Sequence, residues 1–172
     1  MSKNLEGADL SYADLWHADL SAWNLTNANL TGANLTNAIL PGADLANADL
    51  TNAVLTNAVL TGAWLTGANL TGADLTGADL DLAILPGANL NLVNLTDAYL
   101  NAANLDAADL PYANLTGASL AFANLSLATL TNADFSNAGM YGAKGTEIIG
   151  TPSALPDGCK LENGILICEY RN

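Results

Sequence analysis

The chain has 172 residues, 17 carboxylates against four Lys or Arg, and a formal net charge of −13. That length fits one domain. The charge balance excludes direct binding to nucleic acid or an anionic membrane surface, and no apolar run reaches transmembrane length. The opening residues Met1 to Asn4 carry no apolar signal segment, so the expected location is the cytoplasm.

From Leu5 to Met140 every fifth residue is Leu, Phe or Met, giving 28 consecutive repeats. Ala stands two residues earlier in nearly every repeat, with Trp23 and Val93 as exceptions. Asn or Asp usually lies between them, and Thr then Gly or Asn usually follows the Leu. Repeats at a fixed period take precedence over any local reading. Five residues advance an α-helix by about 500°, so the Leu set forms no stripe on it. On a straight strand an odd period sends successive Leu to opposite sides. The chain must therefore bend once per repeat, at the Gly and Asn positions that tolerate positive φ, such as Gly32, Gly62, Asn37 and Asn52. Corners of roughly 90° close a square in 20 residues, with Leu and Ala inward and the residue between them outward. Alternating large and small side chains fills such a core.

The word A-(D/N)-L-X-X resembles that of the pentapeptide repeat family, over about four-fifths of the chain. The resemblance implies an all-β fold, a right-handed quadrilateral parallel β-helix of about seven coils of four pentapeptides. Right-handed parallel crossovers are also the general preference. At about 4.8 Å per coil the column is on the order of 34 Å long. The expected domains are a β-helix over 1–143 and a C-terminal capping segment over 144–172.

In the first coils Tyr12, Trp16, His17 and Trp23 lie close together in sequence. Trp23 occupies an Ala slot, and Trp16 with Trp23 is the candidate plug for the open N-terminal end, since terminal solenoid units need capping. A ligand site of Trp16, His17 and Trp23 is the sharper alternative. His17 is the only histidine, so no zinc site is expected. Stacked outward residues, as in Asp9, Asn29, Asp49 and Asn69 or Thr36, Thr56 and Thr76, predict hydrogen-bonded ladders between coils.

Between Asp49 and Asp74 there is no charge, and outward positions become apolar. Ile39, Val54, Val59, Trp64, Ile84 and Tyr99 form the candidate partner patch, which with Pro41, Leu82 and Pro86 at adjacent corners makes an apolar belt expected on two adjoining sides. Around Leu90 to Tyr112 the word loosens at Leu92, Val93, Ala102, Ala107 and Tyr112, while the Leu period holds.

After Ala143 the word stops. Asn163-Gly164 is a strong hairpin signal, and a two-residue turn pairs Glu162 with Ile165, Leu161 with Leu166, and Cys159 with Cys168. The two cysteines fall within disulfide range, with thiols expected in a reducing cytoplasm and the bond in oxidised protein.

No set of residues assembles catalytic chemistry, and no cofactor or metal is expected. The expected function is a non-enzymatic scaffold presenting flat acidic faces and the apolar belt to a protein partner, as a monomer or weak oligomer. The family resemblance implies an alternative, since acidic members mimic duplex DNA and inhibit type II topoisomerases such as gyrase. Thirteen carboxylates lie between Leu5 and Ala143. That is one per roughly 2.6 Å, against about 1.7 Å per charge in duplex DNA. Two features depart from that alternative: the charges are absent from the middle coil, and the tail is a hairpin where the gyrase-directed members carry a C-terminal helix.

Overall fold

A computed structural model describes residues 3–168, so Arg171 and the last four positions of the expected cap lie outside the described residues. The chain winds as a right-handed, four-sided parallel β-helix, each outward residue bridging the one 20 positions on, from Asn4↔Asn24 to Asp134↔Ala154. Leu25 through Leu130 and the Ala of each word fill the interior, almost all at zero exposure, with Phe135 continuing the Leu column.

The corner chemistry explains the five-residue word. In one repeat, Leu25 N–H donates to the Asp44 carbonyl one coil on, and Asn27 N–H to that of Ala46. Asn29 N–H donates back to the Ala8 carbonyl, and Ala28 N–H closes the turn on Leu25 at 3.0 Å. The fifth donor, Thr26 N–H, is taken by Asn24 Oδ1 at 3.0 Å. Every backbone donor of the word therefore has an acceptor, as a backbone packed coil on coil requires. The residue two after each Leu has φ between +54° and +71° throughout the array, including Leu82, Leu92, Phe122 and Leu127. Positive φ at the third residue of an i to i+3 hydrogen-bonded turn is the type II pattern, which favours Gly and Asn. Cooperative ladders on both sides hold even branched and aromatic residues in it.

The outward Asn and Asp act first as turn acceptors within their own repeat. Cross-coil bonds come second, as from Asn29 Nδ2 to Asp9 Oδ1 at 3.1 Å and from Asn94 Nδ2 to Asp74 Oδ1 at 3.1 Å. The expected threonine ladder is replaced by a mixed one. Thr76 and Thr96 hydroxyls donate to their own Asp74 and Asn94, and Asn94 and Asn114 amides donate to the Thr76 and Thr96 hydroxyls.

The helical path outlasts the sequence word. Lys144, Ile149 and Ala154 still bridge Asn124, Thr129 and Asp134, although the Leu period has ended. The cap hairpin follows, β1 (Cys159–Glu162) and β2 (Ile165–Cys168), with the register Cys159↔Cys168, Leu161↔Leu166 and Glu162↔Ile165. Asn163 and Gly164 both take positive φ, as a type I′ turn needs. Leu166 N–H donates to the Gly145 carbonyl and Ile148 N–H to that of Gly164, seating buried Leu166 and Ile148 on the end of the core. The Cys159 and Cys168 sulfurs are bonded at 2.08 Å.

Candidate protein-contact edge

The 20-residue period sorts the outward residues onto four faces. Face 1 reads Asn4, Asn24, Asp44, Trp64, Ile84, Asn104, Asn124, Lys144. Face 2 begins at Asp9 and face 3 at Asp14. Face 4 reads Asp19, Ile39, Val59, Asp79, Tyr99, Ser119, Gly139. Asp9, Asp49 and Asp109 stand on face 2, and Asp14, Asp74 and Asp134 on face 3. Face 1 has one outward carboxylate, Asp44, and one cation, Lys144.

The candidate patch is thus partly joined and partly divided. Ile39 and Val59 are stacked on face 4, and Trp64 and Ile84 are stacked on face 1 around the corner. Trp64 is 55% exposed and Val59 half-buried. Tyr99 shares face 4 but Asp79 separates it from Val59, and Val54 stands on face 3 between Asn34 and Asp74. The belt therefore touches three sides where two were expected, because consecutive repeats always move to the next face.

The edge runs further than the corner residues Pro41 and Leu82 expected beside the belt, whereas Pro86 stands on the next corner, between faces 1 and 2. The corner between faces 4 and 1 carries Pro41, Leu82, Ala102, Phe122 and Tyr141 on successive coils or nearly so. Leu82 is 61% and Phe122 59% exposed, and Phe122 and Tyr141 meet edge to face at 5.1 Å between ring centroids. A Cβ on Gly142 would lie 2.6 Å from Phe122 Cδ1, so glycine there is what lets the ring cover the next corner. The signal was present in sequence as a 20-residue spacing of apolar residues in the Gly/Asn position, from Leu82 through Phe122.

The apolar outward residues alter the corner chemistry beneath them. Val54, Val59 and Trp64 have no oxygen to accept the N–H of Thr56, Thr61 or Thr66 two residues on. The Thr56 and Thr61 hydroxyls turn instead to Asp74 and Asp79 one coil away. After Ile39 and Ile84 the residue at that position is Pro41 or Pro86, which has no N–H to satisfy.

At the N-terminal end the structure separates the proposed pair. Trp23 is half-buried against the core, whereas Trp16 is 59% exposed and stands edge to face with His17 at 3.9 Å. Trp16 follows a Leu and so lies at a corner, while Trp23 takes an inward slot. Among the described residues no group of three or more His, Cys, Asp or Glu is placed to hold a metal ion, and no helix is long and apolar enough to cross a membrane. Carboxyls that accept from a serine two residues on are lowered below the ordinary aspartate value: Asp9 by the Ser11 hydroxyl and N–H, Asp19 by those of Ser21, and Asp134 by those of Ser136.

A closed square of pentapeptide words with an Asx-capped corner after most Leu defines a class, and the Pentapeptide repeats family matches in eight copies spanning residues 4 to 144. The chain belongs to that family. It is similar to Rfr23, a pentapeptide repeat protein from the cyanobacterium Cyanothece 51142, at 38% identity and a TM-score of 0.53. That match covers 54% of this chain and 64% of Rfr23, so the chain spans just under two thirds of that relative's length. HetL from Nostoc sp. PCC 7120, involved in heterocyst differentiation regulation, is 37% identical over 81% of this chain and 79% of its own, with a TM-score of 0.40. QnrB1, a plasmid-mediated fluoroquinolone resistance protein, is 22% identical over 80% of this chain and 83% of its own, with a TM-score of 0.39. No curated protein matches the chain.

Proposed function

We propose that the protein is a non-enzymatic interaction scaffold that docks a protein partner along the edge between faces 4 and 1. The single observation that carries this reading is the run of large apolar side chains along this edge, against a sparser group, Tyr12, Leu92 and Tyr112, on the corner between faces 2 and 3. Trp64, Ile84, Leu82, Phe122 and Tyr141 gather on or beside one edge, while six outward carboxylates occupy faces 2 and 3. A contiguous exposed apolar surface rimmed by polar groups is the usual mark of a protein contact, and aromatic residues are the usual anchors. Capture from the native host with wild type, Trp64→Ala and a face-2 control, Asp109→Asn, tests it. Loss of a specific partner with Trp64→Ala alone supports the edge, and equal capture by all three overturns it.

Mimicry of DNA is the second reading, favoured by the carboxylates aligned on faces 2 and 3. Within it, the positions Val54 on face 3 and Asn69 and Asn89 on face 2 interrupt the negative column. A gyrase supercoiling assay decides between the two: clear inhibition at low micromolar protein would put mimicry ahead of the scaffold.

A further inference from the structure

The occupant of this edge can be named from the pattern along it, given that the edge is a docking surface as proposed above. We propose that it is a second copy of the chain, antiparallel to the first, related by a two-fold axis that crosses the edge between Leu82 and Ala102.

Charge narrows the choice of contact first. A chain of net charge −13 repels its own copy, so self-association must use the side where repulsion is least. Faces 2 and 3 present three outward carboxylates each, and face 4 presents Asp19 and Asp79. Only on face 1 do the outward charges cancel, Asp44 against the exposed Lys144.

Symmetry narrows it further. A two-fold contact is isologous, so each residue must face a suitable residue placed the same distance beyond the axis. Because the coil rises steadily, residue number measures height along the column, about 4.8 Å for each 20 residues. An antiparallel copy turned about a level near residue 92 sets Pro41 beside Tyr141 of the second copy, and Leu82 beside its Ala102. The same operation sets Trp64 at the height of Asn124 and Asp44 at that of Lys144, all four on face 1. The midpoints of these four pairs fall at levels 91 to 94, a spread of under about 1 Å of rise. One axis therefore matches proline with tyrosine, large with small, and the one anion of face 1 with its one cation, and sets Trp64 and Ile84 against the amides of Asn124 and Asn104. The axis keeps face 1 beside face 1, so both charge pairs form at once, at opposite ends of the contact.

Asp81 is the like charge nearest the axis, and it stands about one coil from its symmetry mate. Its Oδ1 accepts both the Asn101 N–H at 2.7 Å and the Asn101 amide at 3.0 Å, which spreads the charge it presents. An edge and one face make a small contact, so the association is weak and reversible.

Sedimentation equilibrium of the full chain, from about 1 μM to about 500 μM, reads this association directly. We expect wild type to dimerise reversibly. Asp44→Lys and Lys144→Asp should each weaken the dimer at least about tenfold, and the double reversal should restore it to within about threefold. Asp44 Oδ1 also accepts the Ala46 N–H, so Asp44→Asn, which keeps that acceptor, serves as the second variant and should weaken the dimer by a smaller factor. A wild type that stays monomeric throughout, or single reversals without effect, or a double reversal without rescue, overturns the two-fold arrangement. The outcomes separate from those above. A monomeric wild type whose host partner is still lost with Trp64→Ala removes the second copy and leaves the scaffold. A Trp64→Ala chain that keeps both dimer and partner removes the edge altogether.

Discussion

Faces 2 and 3 and the edge between faces 4 and 1 are built on the same backbone, and they differ only in what stands outward and at the corner. On faces 2 and 3 an Asn or Asp accepts the N–H two residues on, as Asn69 does for Thr71 and Asp74 for Thr76. At Val59 and Trp64, on faces 4 and 1, that acceptor is gone. Each such replacement gives up a hydrogen bond worth about 1 kcal/mol. The β-helix tolerates the loss because its core and its two ladders hold the corner regardless. The lesson is that the inward half of each word sets the fold, whereas the outward half is free to vary, at small cost in stability.

That contrast has consequences in descending size. The largest tests whether the core is indifferent to the surface above it. Leu65 lies under face 1 beside Trp64, and Leu70 under face 2 beside Asn69, both at zero exposure. We expect Leu65→Ala and Leu70→Ala each to cost about 2–5 kcal/mol and to agree within about 0.5 kcal/mol in chemical denaturation. A large disparity would mean that the two regions differ inside as well as outside.

Next come exchanges of the outward residue. Asn69→Val removes the acceptor for Thr71 N–H and should destabilise by about 1 kcal/mol. Val59→Asn, on face 4, supplies one to Thr61 and should stabilise by a similar amount, read from the same denaturation curves. If Val59→Asn destabilises, the turn acceptor is not what the two regions trade.

The smallest effect concerns ionisation. The Ser21 hydroxyl, its backbone N–H and Lys3 all favour the charged form of Asp19. Its pKa is lower folded than unfolded, so its contribution is present above the unfolded aspartate value and fades as pH falls through the folded one. Ser21→Ala should raise the Asp19 pKa toward the ordinary value while leaving Asp134, which depends on Ser136, unchanged in a carboxyl NMR titration. No movement of Asp19 would show that the hydroxyl is not the cause.

While the four-sided coil was implied by the family resemblance, the order of residues alone determined a bend in every five-residue word, the inward Leu and Ala columns and the cap hairpin register. Each follows from local rules: a period of five that fits no straight element, turn residues where φ is positive, and strand alternation. Asn163-Gly164 likewise dictated the pairing of Cys159 with Cys168. Three things waited for the folded coil. Trp16 and Trp23, close in sequence, part because one stands at a corner and the other inward. Lys144, Ile149 and Ala154 extend the helix past the last Leu because backbone ladders, unlike cores, need no particular side chain. The apolar edge reaches past Pro41 and Leu82 to Phe122 and Tyr141 by stacking, since residues 20 apart become neighbours when one coil rests on the next.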